Sequence, residues 1–113
     1  MPLPTGPQGT VRTKVLAAAR KKILYLPHAI RQMSRPDRMI TAQEVRKVVM
    51  QGEIIEDYPD DARGHSCLLF GLGSGGRKLH VVCAPRHDYL AVVTAYVPGP
   101  HEWEQNFKVR RKP

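Results

Sequence analysis

The feature that most constrains the fold is a change in the spacing of apolar residues at Gly52. Before it, segment 41–51 places valines at helical spacing behind a capping box, in which the Thr41 hydroxyl can accept from the Glu44 backbone. After it, β-branched and apolar residues come in short runs separated by Pro, Asp and Gly, a pattern typical of strands and turns. Helices followed by consecutive strands predict an α+β domain.

Two further helices are predicted before residue 41. Basic segment 11–26 is Ala-rich at its centre, which favours a helix, although residues 23–26 can also be extended. A second helix is expected to begin at His28, because Pro27 suits a first helical turn, and to end near Pro36. Gly52 is predicted to end the third helix in a left-handed conformation. Residues 1–9 are expected to be a flexible lead-in to a single domain over 10–113.

Four strands are predicted, over 52–58, 65–72, 77–83 and 89–96. The glycine cluster at 73–76 lacks the spacing and following helix of a phosphate-binding loop, so it is interpreted as a turn. Consecutive strands predict a four-stranded antiparallel meander with the N-terminal helices on one face and the other face free for a ligand. Residues 101–107 are expected to form one helical turn that packs Trp103 and Phe107 on the core.

The net charge of +8 is unevenly distributed along the chain. Residues 1–50 carry ten Lys and Arg against two acids, whereas residues 51–100 carry four against six. This asymmetry favours a polyanion-binding face built from the helical half and the basic C-terminal tail. The alternative is a charged surface that serves only solubility.

Composition also excludes several classes of protein. Two cysteines, Cys67 and Cys83, are too few for a disulfide scaffold, and their flanking apolar residues favour burial. The start of the chain has no apolar run typical of a signal peptide, and no apolar stretch approaches the length of a membrane span. A cytoplasmic protein without a membrane partner is therefore expected.

Two histidines stand out as candidates for chemistry. His80 interrupts an apolar strand, and His28 lies at a predicted helix start from which it could face the same cleft. Histidine is well suited to proton transfer near neutral pH. The alternative for His80 is a core histidine whose nitrogens are satisfied by hydrogen bonds. Neither the two cysteines with His80 nor the acids at 56–61 have spacing that predicts a metal site, so no metal and no cofactor are expected.

The chain resembles a small bacterial family catalogued as domain of unknown function 4258. The resemblance covers about residues 25–111 and rests on an ordered set of pieces: His28-Ala29, Ile40-Thr41, Glu44-Val45, GEIIEDYPDD at 52–61, Gly71, Arg77, LHVV at 79–82, TAY at 94–96, Trp103 and Arg110-Arg111. The family usually has Arg four residues after the helix histidine, where this chain has Gln32 beside Arg31. The segment after that helix is also about two residues longer than usual, so Arg38 is the match to the family's second arginine.

The family resembles the RelE/barnase-like (MqsR-like) toxin ribonucleases, and its members often lie beside zinc-finger antitoxins of the MqsA type. The resemblance implies a toxin-type, metal-independent endoribonuclease of the mRNA interferase kind, with RNA, including ribosome-bound mRNA, and a cognate antitoxin as partners. The predicted catalytic residues are His28, His80 and Tyr96, and the predicted phosphate-binding residues are Arg31, Arg38, Arg77 and Arg110. Such chemistry needs a base for the 2′-OH, an acid for the leaving oxygen and cations for the phosphorane. The alternative function is a basic RNA-binding or protein-partner module without catalysis.

Overall fold

The computed structural model describes residues 6–112, with side chains from Thr10 onward, so residues 1–5 of the expected lead-in lie outside the described residues. The helices are α1 (Gly6–Lys21), α2 (Pro27–Met33) and α3 (Ala42–Gln51). The strands are β1 (Ile23–Tyr25), β2 (Glu53–Tyr58), β3 (Ser66–Leu72), β4 (Lys78–Pro85) and β5 (Leu90–Tyr96). The α+β class is confirmed. Helix α1 begins earlier than expected, within the segment predicted to be a flexible lead-in.

The sheet has five strands in the order β1-β5-β4-β3-β2, and it is mixed. Strands β2 to β5 form the expected antiparallel meander, but β1 adds to its edge parallel to β5, with Ile23 opposite Leu90. The prediction of a four-stranded antiparallel sheet was therefore wrong in this detail. Three half-buried residues are too few to show a strand period, and their partner lies far along the chain.

The main core lies between one face of the sheet and the helices. Its buried members come from every helix and from strands β3 to β5, and they include Val15, Ala29, Val45, Leu69, Val81 and Val92. Arg12 connects two helices, because its guanidinium donates to the carbonyls of Val49 and Met50 at the end of α3, at 2.8 Å each. Among the described residues, no helix is long and apolar enough to cross a membrane.

The structure confirms the prediction for the start of α3 but not the prediction for its end. The capping box is present, with the Glu44 backbone donating to the Thr41 hydroxyl and the Thr41 backbone donating to the Glu44 carboxylate. Gly52, however, has φ −75° and ψ 179°, so the predicted left-handed conformation was wrong. A Cβ at Gly52 would lie 2.5 Å from the carbonyl oxygens of Phe70 and Val48. Close approach of the backbone, not the sign of φ, therefore requires glycine here.

The second face of the sheet carries the row Phe70, His80 and Tyr96, which are opposite each other on β3, β4 and β5. Residues 99–111 cross this row as an irregular segment, which we call the C-terminal strap. The expected helical turn is absent, and Trp103 and Arg110 pair instead in an isolated antiparallel bridge. Trp103 is buried as expected, but on this second face. The face predicted to be open is therefore partly covered by the strap.

Candidate functional site

A cavity of about 450 Å³ lies where α2, the end of β5 and the strap meet. We call this cavity the cleft. Four of the seven predicted site residues line it: His28, Arg38, Tyr96 and Arg110. Its lining also includes Gln32 and Glu102, so the cleft combines an imidazole, a phenol, an amide, a carboxylate and two guanidinium groups. These are the group types that transfer protons and bind phosphate.

Local structure explains why His28 faces the cleft. Pro27 occupies the first turn of α2, where the missing N–H costs no hydrogen bond, and His28 follows it. The helix buries Ala29 and Met33 in the core, which leaves His28 exposed beside the end of β5. Gln32 lies one turn further along the same side of α2, as the i, i+4 spacing requires.

Arg38 reaches the cleft from the loop after α2. Its Nη1 lies 3.5 Å from Oε1 of Gln32, so this contact connects the loop to α2. The loop itself is fixed by Arg77, which donates to the carbonyls of Arg38 and Met39. Met39 is held at φ 45°, an uncommon conformation for a non-glycine residue, and these contacts keep it there.

Arg77 lies outside the cleft lining, in contrast to its predicted role. Its guanidinium donates to both carboxylate oxygens of Glu44, at 2.7 and 3.0 Å, as well as to the two loop carbonyls. These bonds occupy most of its donors. The hydrogen bond from Arg77 lowers the pKa of Glu44 to about 2. Arg31 also lies outside the lining and is exposed on α2. The structure thus brings neither of these two arginines to the cleft.

Arg110 lines the cleft from the strap, and its guanidinium is paired with a carboxylate. Its Nε and Nη2 donate to the two oxygens of Glu56 at 2.8 and 3.1 Å, and its guanidinium lies 4.7 Å from the Trp103 ring centre. Burial alone would raise the pKa of Glu56, but hydrogen bonds from Arg110 and Tyr58 lower it. Burial and the bond to Glu56 raise the pKa of Tyr58 to about 12, so this tyrosine stays protonated and donates to Glu56.

His80 is fully buried beneath the strap rather than exposed in the cleft. Its Nε2 lies 2.7 Å from the Phe107 carbonyl oxygen, and its Nδ1 lies 3.2 Å from the Tyr96 hydroxyl. The Trp103 ring packs edge-on against it at 4.4 Å. Burial lowers the pKa of His80, which favours the neutral ring. A carbonyl can only accept, so Nε2 carries the proton and Nδ1 accepts from Tyr96.

This tautomer determines what Tyr96 offers to the cleft. Because the Tyr96 hydroxyl donates a hydrogen bond to Nδ1 of His80, its oxygen lone pairs remain to accept a hydrogen bond from another group. Burial raises the pKa of Tyr96, which keeps the phenol neutral. In this arrangement a hydrogen bond from Tyr96, which lines the cleft, connects the buried His80 to the cleft.

Glu102, the acidic residue of the cleft lining, is not among the residues predicted from the sequence. It lies in an irregular segment between Pro100 and Trp103, where no period or motif marks it. The pairing of Glu56 with Arg110 had a weak signal, since strand alternation separates Glu56 from Asp57 and leaves it on the second face. Within residues 6–112, no group of three or more His, Cys, Asp or Glu side chains is arranged to hold a metal ion.

Residues 25–97 match the model of a family described as "Domain of unknown function (DUF4258)". The matched region runs from the end of β1 to just beyond β5 and contains His28, Arg38, His80 and Tyr96. Helix α1 and the strap, which carries Arg110, lie outside it. No curated protein and no solved structure matches the chain.

Proposed function

Starting from the fact that the chain belongs to the DUF4258 family, we propose that it is a small endoribonuclease that cleaves RNA in the cleft by acid–base catalysis. The observation that carries this proposal is the convergence of His28, Arg38, Tyr96 and Arg110 on one cavity. They come from α2, the following loop, β5 and the strap, so only the folded chain brings them together. Their types are those required for attack of a 2′-OH on the adjacent phosphate.

The cleft groups have distinct roles in this reaction. The scissile phosphate lies against Arg38 and Arg110, whose guanidinium groups stabilise the charge that develops on the phosphorane. His28 transfers one proton and Glu102 the other: the base takes the 2′-OH proton and the acid protonates the leaving 5′-oxygen. The Tyr96 oxygen accepts a hydrogen bond from the ribose, and His80 is a positioning residue that orients it. The products are a 2′,3′-cyclic phosphate and a free 5′-hydroxyl.

The finer proposal is that this ribonuclease is a toxin of the RelE/barnase-like type with a cognate antitoxin, of zinc-finger type, as its partner. It is supported by the order of elements after β1, which is two helices and then an antiparallel run of β2 to β5, because the family resembles these toxins in element order. Growth arrest on expression, relieved by co-expression of the neighbouring gene product, is the expected result. Normal growth at a verified level of folded protein would contradict the toxin assignment.

The catalytic proposal is tested by incubating single-stranded RNA with the purified protein in EDTA. We compare the wild type with His28→Gln and with His65→Gln as a matched control. His65 lies outside the cleft, 2.5 Å from Asp57, and the amide of glutamine can still donate to that carboxylate. We expect His28→Gln to lower the cleavage rate by about a hundredfold or more, since general acid–base groups contribute on this scale. Equal rates for the two variants would contradict the assignment.

A non-catalytic RNA-binding module is the competing function, and the same preparation distinguishes it. It predicts salt-sensitive RNA binding that survives His28→Gln, together with no cleavage by the wild type. The geometry favours an enzyme because a binding groove has no need of an imidazole and a carboxylate beside two arginines.

A further inference from the structure

A second basic region lies around the C-terminal end of α1. One cavity of about 360 Å³ is formed between α1, β1 and the start of α3, and another of about 470 Å³ lies between α1 and the β4–β5 turn. Lys21 lines both cavities, so the two are adjacent. Six cations line them together: Lys14, Arg20, Lys21, Lys22, Arg46 and Arg86. We call this set the cationic band.

The band has little compensating negative charge among the described residues; Asp88 lies in the β4–β5 turn beside it, 3.7 Å from His87. Neither cavity lining includes an acidic residue. Among the described residues, the ion pairs involve other cations, and none of the six band residues takes part in one. The acid of α3, Glu44, is 5% exposed and is bound to Arg77. The band therefore keeps a large excess of positive charge at the surface, with Asp88 as a neighbouring exposed acid.

Helix stabilisation explains only part of this pattern. Arg20 and Lys21 lie in the last turn of α1, where cations interact favourably with the helix dipole. Lys14 lies near the middle of α1, Arg46 lies on α3, and Arg86 lies at the end of β4. These three come from different elements and gain nothing from the end of α1, so their shared location calls for another explanation.

The band and the cleft lie at opposite ends of β5. At one end, the Lys22 carbonyl accepts from the backbone of Leu90, and at the other end Tyr96 lines the cleft. Seven residues of strand separate them, which corresponds to about 20 Å at about 3.3 Å per residue. A single extended polyanion of a few nucleotides can span this distance, whereas one small ligand cannot.

We propose that the cationic band is a binding site for the phosphate backbone of RNA outside the cleft. The choice of RNA as the polyanion rests on the proposed function, and the band extends the contact that the cleft makes with its substrate. A nucleic-acid interface is strongly positive, as this region is. An acidic protein partner would require apolar anchors, but the large exposed hydrophobic residues among those described, Ile30, Met39, Leu72, Val97 and Val109, all lie outside the two linings.

The test measures binding separately from cleavage. A fluorescent single-stranded RNA with 2′-O-methyl riboses, which cannot be cleaved by 2′-OH attack, is titrated with the full chain over a series of KCl concentrations. The variant R20Q/K22Q/R46Q removes three exposed band cations, and the control R35Q/R63Q/K78Q removes three exposed cations elsewhere with the same change of net charge. All six positions are on the surface, and thermal unfolding verifies that both variants fold.

Loss of three phosphate contacts is expected to reduce the slope of log Kd against log salt by about 2, since each contact on a single strand contributes about 0.7. In low salt the band variant is expected to bind on the order of tenfold more weakly, whereas the control variant keeps the wild-type slope. Equal losses in both variants would show an effect of net charge alone and overturn the proposal. An unchanged slope in the band variant would overturn it as well.

Two further arms separate this proposal from the catalytic one. If RNA binding depends on the band but no RNA is cleaved, the catalytic proposal fails and the band stands. If the wild type cleaves RNA, the band variant should show a higher KM for long RNA, and both kcat and KM for a dinucleotide should be unchanged. A higher KM for the dinucleotide would overturn the proposal. Vesicles of phosphatidylcholine with phosphatidylserine test an anionic surface, and band-dependent vesicle binding without RNA binding would contradict the assignment.

Discussion

Replacement of Glu44 by glutamine tests how the fold holds one wall of the cleft. Both carboxylate oxygens of Glu44 accept from Arg77, and the carboxylate also accepts from the backbone of Thr41 and Ser74. Arg77 in turn donates to the carbonyl of Arg38, which lines the cleft. One carboxylate therefore connects α3, the turn before β4 and the loop that carries a phosphate-binding candidate.

The size of this contribution follows from the pKa of Glu44, which the hydrogen bond from Arg77 lowers from 4.5 to about 2. At about 1.4 kcal/mol per pKa unit, ionised Glu44 contributes about 3 kcal/mol to the free energy of unfolding. Because the folded-state pKa lies below the ordinary value, this stability is present above pH 4.5 and is lost as the pH falls toward 2. About 1 kcal/mol of it remains near pH 3.

Urea unfolding of the wild type and Glu44→Gln at neutral pH and near pH 3 measures the effect. We expect a difference of about 3 kcal/mol at neutral pH that shrinks to about 1 kcal/mol in acid. The control Glu53→Gln removes a half-exposed carboxylate 2.8 Å from Lys108 and should cost less than about 1 kcal/mol at either pH. A Glu44→Gln effect that is independent of pH, or no larger than that of Glu53→Gln, would contradict this role of the Glu44 carboxylate.

Three further predictions concern the second face and the turns. His80→Gln should flatten the pH dependence of stability. The folded-state pKa of His80 lies below its ordinary value of 6.5, so its contribution to stability is present above pH 6.5 and is lost as the pH falls below that value. Unfolding midpoints between pH 8 and pH 5 measure this effect, and a variant midpoint as acid-sensitive as that of the wild type would contradict it. Tyr96→Phe should cost about 1 kcal/mol of stability, because one hydrogen bond is lost. It should lower the RNA cleavage rate at least about tenfold in single-turnover assays. A wild-type cleavage rate would show that Tyr96 has no part in the mechanism. Gly52→Ala should cost about 3 kcal/mol, because its Cβ would clash with two carbonyl oxygens. Gly75→Ala should cost about 1 kcal/mol, because Gly75 has φ 66° but lies in open space. Equal urea midpoints for the two variants would contradict this difference.

The parts of the fold that could be predicted are those that short-range sequence patterns determine. The residues of the capping box, Thr41 and Glu44, are close together in the chain, and so are the residues of each alternating run of the meander. Local interactions therefore determine both patterns. The parallel pairing of β1 with β5 joins residues that are far apart in the chain. Nothing in the three-residue segment itself distinguishes an edge strand from a helix end.

The candidate site shows the same limit. The sequence indicated that His80 was unusual, but whether its ring faced solvent depended on the strap, an irregular segment whose position has no periodic signal. Arg77 was predicted to bind phosphate on the basis of the family resemblance, but the buried carboxylate of Glu44 and two loop carbonyls accept most of its hydrogen bonds. Long-range pairing of charges decides such cases, and a single sequence does not contain that information.

The central claim is that the cleft cleaves RNA through attack of a 2′-OH, and its most direct test is a single-site substitution in the substrate. An RNA oligonucleotide is first mapped to find the cleaved bond, and the ribose on the 5′ side of that bond is then replaced by 2′-deoxyribose. In EDTA, we expect a 2′,3′-cyclic phosphate end on the all-ribose substrate and no cleavage at the substituted bond. Cleavage of the deoxy-substituted bond, or products without a cyclic phosphate at any time, would contradict it.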